Sequence, residues 1–270
     1  MLGLGNSIIS GVVSSEWTPE SLSNLTLWLK FNQNITADQD NSSSSSSIDH
    51  STAAGNMGDE DRINAWNAFG NTSINAVQDV YADKPLWETD AADAGGIKLH
   101  NGIKFMDLSA SIDLDANTDF TIAIRFKCTN FSGAGLLGMA GTTDFVRFQS
   151  NTTVRLLINN TQRNFALASG NMATDEYYTL LIVRSDGSTG NLNVFVRGNE
   201  SLDGTATGTQ IGSQLTDAGE ITISDIGATS DVGSSDSGNF TGFFKDVLIW
   251  DGTAASSGDR KEIFDYIEGQ

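Results

Sequence analysis

The chain has 270 residues, enough for one large all-β domain or two small ones and long enough to bury a substantial core. Its 34 acidic against 15 basic residues give a formal net charge of −19, which disfavours any partner built on a phosphate backbone. A hydrophobic fraction of 39%, with 28 glycines and only 2 prolines, favours many short strands joined by turns and excludes a proline-rich stalk.

The single cysteine, Cys128, rules out an intrachain disulfide. It falls on the apolar side of a strand, where a free thiol acts as a small hydrophobe. The lack of disulfides points to a protein folded in the cytoplasm, of the kind released by lysis.

In chain order, residues 1–16 read as an apolar arm with glycine at positions 3, 5 and 11 and no Lys or Arg. They make a poor secretion signal, and no apolar run reaches membrane-spanning length. Leaving Leu2, Leu4, Ile8, Ile9, Val12 and Val13 in water would cost on the order of 1 kcal/mol each. The arm is therefore expected to dock on a neighbour. Leu25 to Phe31 alternates as a first strand. The serine run Ser42 to Ser47 could be a linker, but one strand upstream is too little for a separate core, so residues 41–62 are expected as a long polar surface loop. Trp66 and Phe69 are expected anchors, Lys84–Pro85 an extended piece, and Asn101–Gly102 a hairpin turn.

The stretch from Phe120 to Thr129 places Phe120, Ile122, Ile124, Phe126 and Cys128 on one side of a strand. Thr121, Ala123, Arg125, Lys127 and Thr129 fall on the other, a face expected to meet water or a neighbouring subunit. From Gly135 onward, short alternating or apolar runs follow one another between turns such as Ser185 to Asn191, the pattern of a sandwich or barrel. A terminal helix is expected with Asp259 as its N-cap, Glu262 completing a capping box, Ile263, Phe264 and Ile267 as its apolar stripe and Gly269 as its stop.

Three motifs resemble the concanavalin A-like, laminin-G-like jelly roll. They are "SIDLDANTDFTIAIRFK" (Ser111 to Lys127), "YYTLLIVRSDGSTGNLNVFVRGN" (Tyr177 to Asn199) and "DIGATSDVGSSDSGNFTGFFKDVLIWDG" (Asp225 to Gly252). Upstream, Leu25 to Leu108 is similar to the N-terminal half of bacterial and phage versions, with Asn67 and Phe69 where Asp and Ser are common. The resemblance covers roughly residues 17–268 and implies an all-β sandwich jelly roll with a short C-terminal helix, residues 17–270 forming a single domain. The opening "LGLGNSI" is similar to the start of virion proteins of marine tailed phages. It implies a virion structural, decoration or fibre protein, homo-oligomeric, joined to other virion proteins through residues 1–16 and in contact with host glycans.

No catalytic, cofactor or metal residues are assigned. Glycosidase relatives of this fold carry Glu-x-Asp-x-x-Glu on one strand, and the nearest match here is Glu88, Asp90 and Asp93, without a strand pattern around it. Calcium is the one metal the loops could supply, through Asp144, Asp231 and Asp236. His50 and His100 lie in separate segments and are expected as solvated loop residues. Trp17, Trp28, Trp66, Trp87 and Trp250 are candidates for sugar stacking, with core packing the commoner use of such residues. The alternatives to a virion protein are a calcium-dependent lectin and, behind it, a glycoside hydrolase.

Overall fold

The structure is a computed structural model describing residues 16–30, 32–38, 47–50, 61–80, 83–88, 96–99, 105–139, 143–198, 206–229 and 238–269. The first strands are β1 (Leu25–Leu29), β2 (Ile35–Asp38), β3 (Ser47–His50), β4 (Arg62–Trp66), β5 (Ala76–Val77), β6 (Leu86–Glu88) and β7 (Gly96–Leu99). Next come β8 (Met106–Leu114), β9 (Phe120–Cys128), β10 (Gly135–Gly138), β11 (Phe145–Ser150), β12 (Thr153–Ile158) and β13 (Thr161–Ala166). The last are β14 (Tyr177–Ser185), β15 (Asn191–Gly198), β16 (Thr209–Gln210), β17 (Leu215–Thr216), β18 (Ile221–Ile226) and β19 (Gly242–Asp251), followed by helix α1 (Ser257–Glu268).

All pairings among the described residues are antiparallel. One layer runs β15–β14–β9–β19–β7–β6, with β1 also on β19. The other runs β13–β12–β11–β10–β18–β8–β5. Strand β4 bonds to β5 through Ala65 and Trp66 and to β6 through Arg62, so the layers join along one side into a nearly closed sandwich. The result is an all-β jelly roll with one short C-terminal helix, as the motifs implied.

The alternation in β9 sets the main core. Ile124 sits between Leu180 of β14 and Val247 of β19. Phe120, Ile122, Ile124, Phe126 and Cys128 all face Leu136, Val146, Phe148 and Leu156 of the other layer within one apolar cluster. The β14–β15 hairpin forms where the sequence predicts it, with Ser185 opposite Asn191. Its turn places Asp186 at φ 56° and Gly190 at φ 66°, the left-handed region that Asp tolerates and Gly adopts freely.

Four expectations change. First, the Thr121/Ala123/Arg125/Lys127 face of β9 is not met by water. Helix α1 lies across it, burying Ile263, Phe264 and Ile267 against Ala123, Leu181, Val183, Phe195, Leu248 and Trp250 in a second apolar cluster that also takes in Trp28. Arg125 reaches Glu268 at the helix end (3.5 Å), and Arg197 pairs with Glu268 (2.8 Å) and Asp265 (2.9 Å). Second, the strands flanking Asn101–Gly102 do not form a hairpin: β7 pairs with β19 and β6, while β8 pairs with β18 and β5 in the opposite layer. Residues 100–104 themselves, His100 among them, lie outside the described residues. Third, the N-cap of α1 is Ser256, with Asp259 as the reciprocal partner of its capping box; Gly269 is the C-cap as expected. Fourth, a strand, β3, falls inside the span expected as a loop and pairs with β2, so His50 belongs to a strand.

Candidate functional site

The end of the sandwich where β9 finishes is built from three loops. After Cys128, the chain is tied to β19 by Thr129, whose N–H and Oγ1 both donate to the Thr241 carbonyl (2.9 and 3.1 Å). It then turns at Asn130, whose Oδ1 accepts the Ser132 N–H (3.0 Å), and at Gly133, with φ 73°. The β11–β12 turn presents Gln149, Ser150 and Asn151, and the Met172 N–H donates to the Asn151 carbonyl, pinning the third loop beside it. That loop closes with the Asp175 N–H on the Cys128 carbonyl (3.0 Å).

Together these loops enclose an open groove of about 310 Å³ lined by Thr129, Asn130, Phe131, Ser132, Gln149, Ser150, Asn151 and Thr174. Phe131 is 4% exposed and packs edge-on against Phe148 (5.0 Å), which in turn meets Phe126 (5.0 Å). The floor is therefore anchored in the main core, while the walls are hydroxyls and amides. No lining side chain carries a charge. The volume lies at the small end of ligand pockets, roughly 300–1,000 Å³.

The residues singled out from sequence lie elsewhere. Glu88 sits on β6, 8% exposed, and accepts a hydrogen bond from Lys98 Nζ at 2.6 Å. Asp90 and Asp93 lie outside the described residues. Asp144 is 5% exposed, and its two carboxylate oxygens accept the backbone N–H groups of Asn159 and Thr222. It staples the loop before β11 to β18 and to the β12–β13 turn, one N–H on each oxygen. Asp231 and Asp236 fall outside the described residues.

Trp66, Trp87, Trp28 and Trp250 pack inside the protein, at most 4% exposed, whereas Trp17 is half-buried and rests edge-on against Tyr266 (5.8 Å). A second cleft of about 160 Å³ lies beside that pair, between Glu16, Glu262 and Asp265. Its Asp265 is held by Arg197 and Lys261. Cations gather instead around Tyr177, whose ring centroid is 4.4 Å from Lys245, 5.3 Å from Lys127 and 5.5 Å from Arg125. Burial pushes the Tyr177 hydroxyl well above the usual phenol range, against the pull of Arg125. Sequence reasoning missed the groove because its walls come from three separate loops. The available signal was a set of uncharged polar residues in "TNFS" and "QSN" just beyond strongly patterned strands.

Two stacked antiparallel layers with loops gathered at one rim define a concanavalin A-like jelly roll. Residues 100–257 match the family model described as the concanavalin A-like lectin/glucanases superfamily, and the chain belongs to that family. No curated protein matches the chain. Among solved structures it is similar to a heptameric SAP-like pentraxin from Limulus polyphemus, at 18% identity and a TM-score of 0.39 over 55% of this chain and 70% of that one. It is also similar to the CBM40 of a Ruminococcus gnavus IT-sialidase bound to α2,3-sialyllactose (14%, TM-score 0.43, 62% of this chain and 95% of that one). A third is domain 4 of AbnA, a GH43 extracellular arabinanase from Geobacillus stearothermophilus, in complex with arabinotriose (13%, TM-score 0.45, 89% and 98%).

Proposed function

We propose that this protein is a non-enzymatic display module of a phage virion, attached through residues 1–16 and presenting its rim groove to host glycans. The observation that carries the glycan contact is the lining of that groove: hydroxyl and amide side chains over an aromatic floor, at an open end of the sandwich. Such groups match the donor and acceptor pattern of sugar hydroxyls. Membership of a superfamily of lectins and glucanases is consistent with carbohydrate as the ligand class. Against glucanase chemistry stands Glu88, whose carboxylate is engaged by Lys98 on a short strand.

The virion setting rests on the apolar opening of the chain and its likeness to phage virion proteins. Two measurements test the two parts separately. A glycan array probed with the purified protein, with and without chelator, tests the contact; no signal on any glycan removes it. Deleting residues 1–16 and asking whether the protein still joins purified particles tests attachment; undiminished incorporation removes the arm from that role.

A further inference from the structure

Resting on the glycan contact proposed above, we infer that the rim groove takes an uncharged sugar, held by amide and hydroxyl hydrogen bonds with no metal ion in the contact. Three observations carry this. The first is the charge of the walls. All eight lining residues are neutral in a chain whose net charge is −19. An acidic sugar needs an Arg fork or an ammonium to replace the water it loses, and none lines the groove. Gln149 Oε1 accepts a long contact from Arg147 Nη2 (3.4 Å), but Arg147 lies over the Phe145 ring (4.7 Å) outside the lining.

The second is the hydrogen-bonding capacity left over. Asn130 spends its Oδ1 on the Ser132 N–H, which leaves both amide hydrogens of Nδ2 to donate. Thr129 spends its hydroxyl hydrogen on Thr241, which leaves the oxygen to accept. The side chains of Ser132, Asn151 and Thr174 spend no hydrogen bond on any described residue. Unspent donors and acceptors therefore both remain on the groove wall, the mixture that sugar hydroxyls require.

The third is the donor set itself. Calcium is held by carboxylates supplemented with carbonyls and water. No carboxylate lines this groove, and Asp144, the described member of the expected calcium set, lies outside its lining, accepting the Asn159 and Thr222 N–H groups.

The test is a titration of the full chain, read from backbone amide shifts. The neutral probes are chitotriose, maltotriose and N-acetyllactosamine; the acidic probes are 3′-sialyllactose and a heparin disaccharide. Each is run with EDTA and again with calcium. A neutral probe should move the amides of Asn130, Gln149, Asn151 and Thr174, equally with and without EDTA. Asn151→Ala and Thr174→Val should each weaken it about fivefold, the effect of one lost hydrogen bond of roughly 1 kcal/mol. Both variants should melt with wild type, since neither side chain bonds to any described residue. Arg147→Gln should leave the affinity unchanged. Preference for an acidic probe, loss of binding in EDTA, or binding that ignores both groove variants overturns the inference and leaves the glycan contact standing elsewhere on the molecule. Silence of every probe, together with a blank glycan array, removes the contact itself.

Discussion

Arg184 of β14 lies over the ring of Phe120 on the neighbouring strand, its guanidinium carbon 4.5 Å from the ring centroid and its side chain fully buried. The two are cross-strand partners. From that position the guanidinium donates to the carbonyls of Thr118, Asp115 and Gly219, so one side chain closes the end of the sandwich opposite the groove's end of β9. Burial draws its pKa down, and Asp217, Asp119 and Asp251 draw it back.

Replacing Arg184 with Met keeps the contact with Phe120 but removes the guanidinium donor from the Thr118 and Gly219 carbonyls, while the Asp115 carbonyl keeps the Thr118 N–H and hydroxyl. The expected cost is about 3 kcal/mol or more, seen as a lower urea midpoint at constant slope. Arg184→Lys should recover only part of it, because an ammonium cannot serve three diverging acceptors as a planar fork does. Equal stability of Met and Arg at this position would show that water satisfies the carbonyls.

Asp144 should behave as a backbone staple. Asp144→Ala leaves the N–H groups of Asn159 and Thr222 unpaired and should cost about 2–3 kcal/mol, with Asp144→Asn milder because one acceptor remains. Calcium should not change the gap between wild type and variant in thermal melts. A calcium-dependent gain that vanishes in Asp144→Ala would make this carboxylate a metal ligand.

Two aspartates should give opposite pH profiles. Burial and the nearby Asp115 raise the pKa of Asp251, so the folded protein holds that proton more tightly than the unfolded chain. Stability from this group is therefore lost as pH rises from 3.8 through the folded value. Asp251→Asn should stabilise at neutral pH, with the gain fading in acid. For Asp265, burial pushes upward but Lys261 and Arg197 prevail and lower the pKa. Its stabilisation is present above 3.8 and is lost as pH falls through the folded value, so Asp265→Asn should destabilise at neutral pH and not in acid. Parallel profiles for the two variants in denaturation series from pH 2 to 7 would contradict both assignments.

Cys128 is fully buried, and burial raises its thiol pKa to about 12. With almost no thiolate at pH 8, it should resist a thiol reagent in the native protein and react at once in denaturant. Rapid labelling of the native state would mean that the end of β9 opens readily.

Much of this architecture was legible because period-two alternation in Phe120–Cys128 and Tyr177–Ser185 needs only local chemistry. The stripe Ile263, Phe264 and Ile267 was legible for the same reason. What covers Ala123 was not, because the covering residues come more than 130 positions later and a small residue beside Arg125 and Lys127 resembles a solvated face. The N-cap was misplaced because Ser256 and Asp259 are both good capping residues, and the backbone chooses between them. At Asn101–Gly102, turn chemistry was read without the layer change that sends β7 and β8 to different partners. The groove is a property of three loop ends meeting, which no single window of sequence contains.

The helix laid on the outer face of β9 also bears on how freely this strand can vary. A half-wet strand tolerates exchange at every second residue. Here eight of the nine positions from Phe120 to Cys128 are buried, so a saturation library should show intolerance at consecutive positions. Novelty in such a molecule accumulates in its rim loops, leaving the shared central strand nearly fixed in composition.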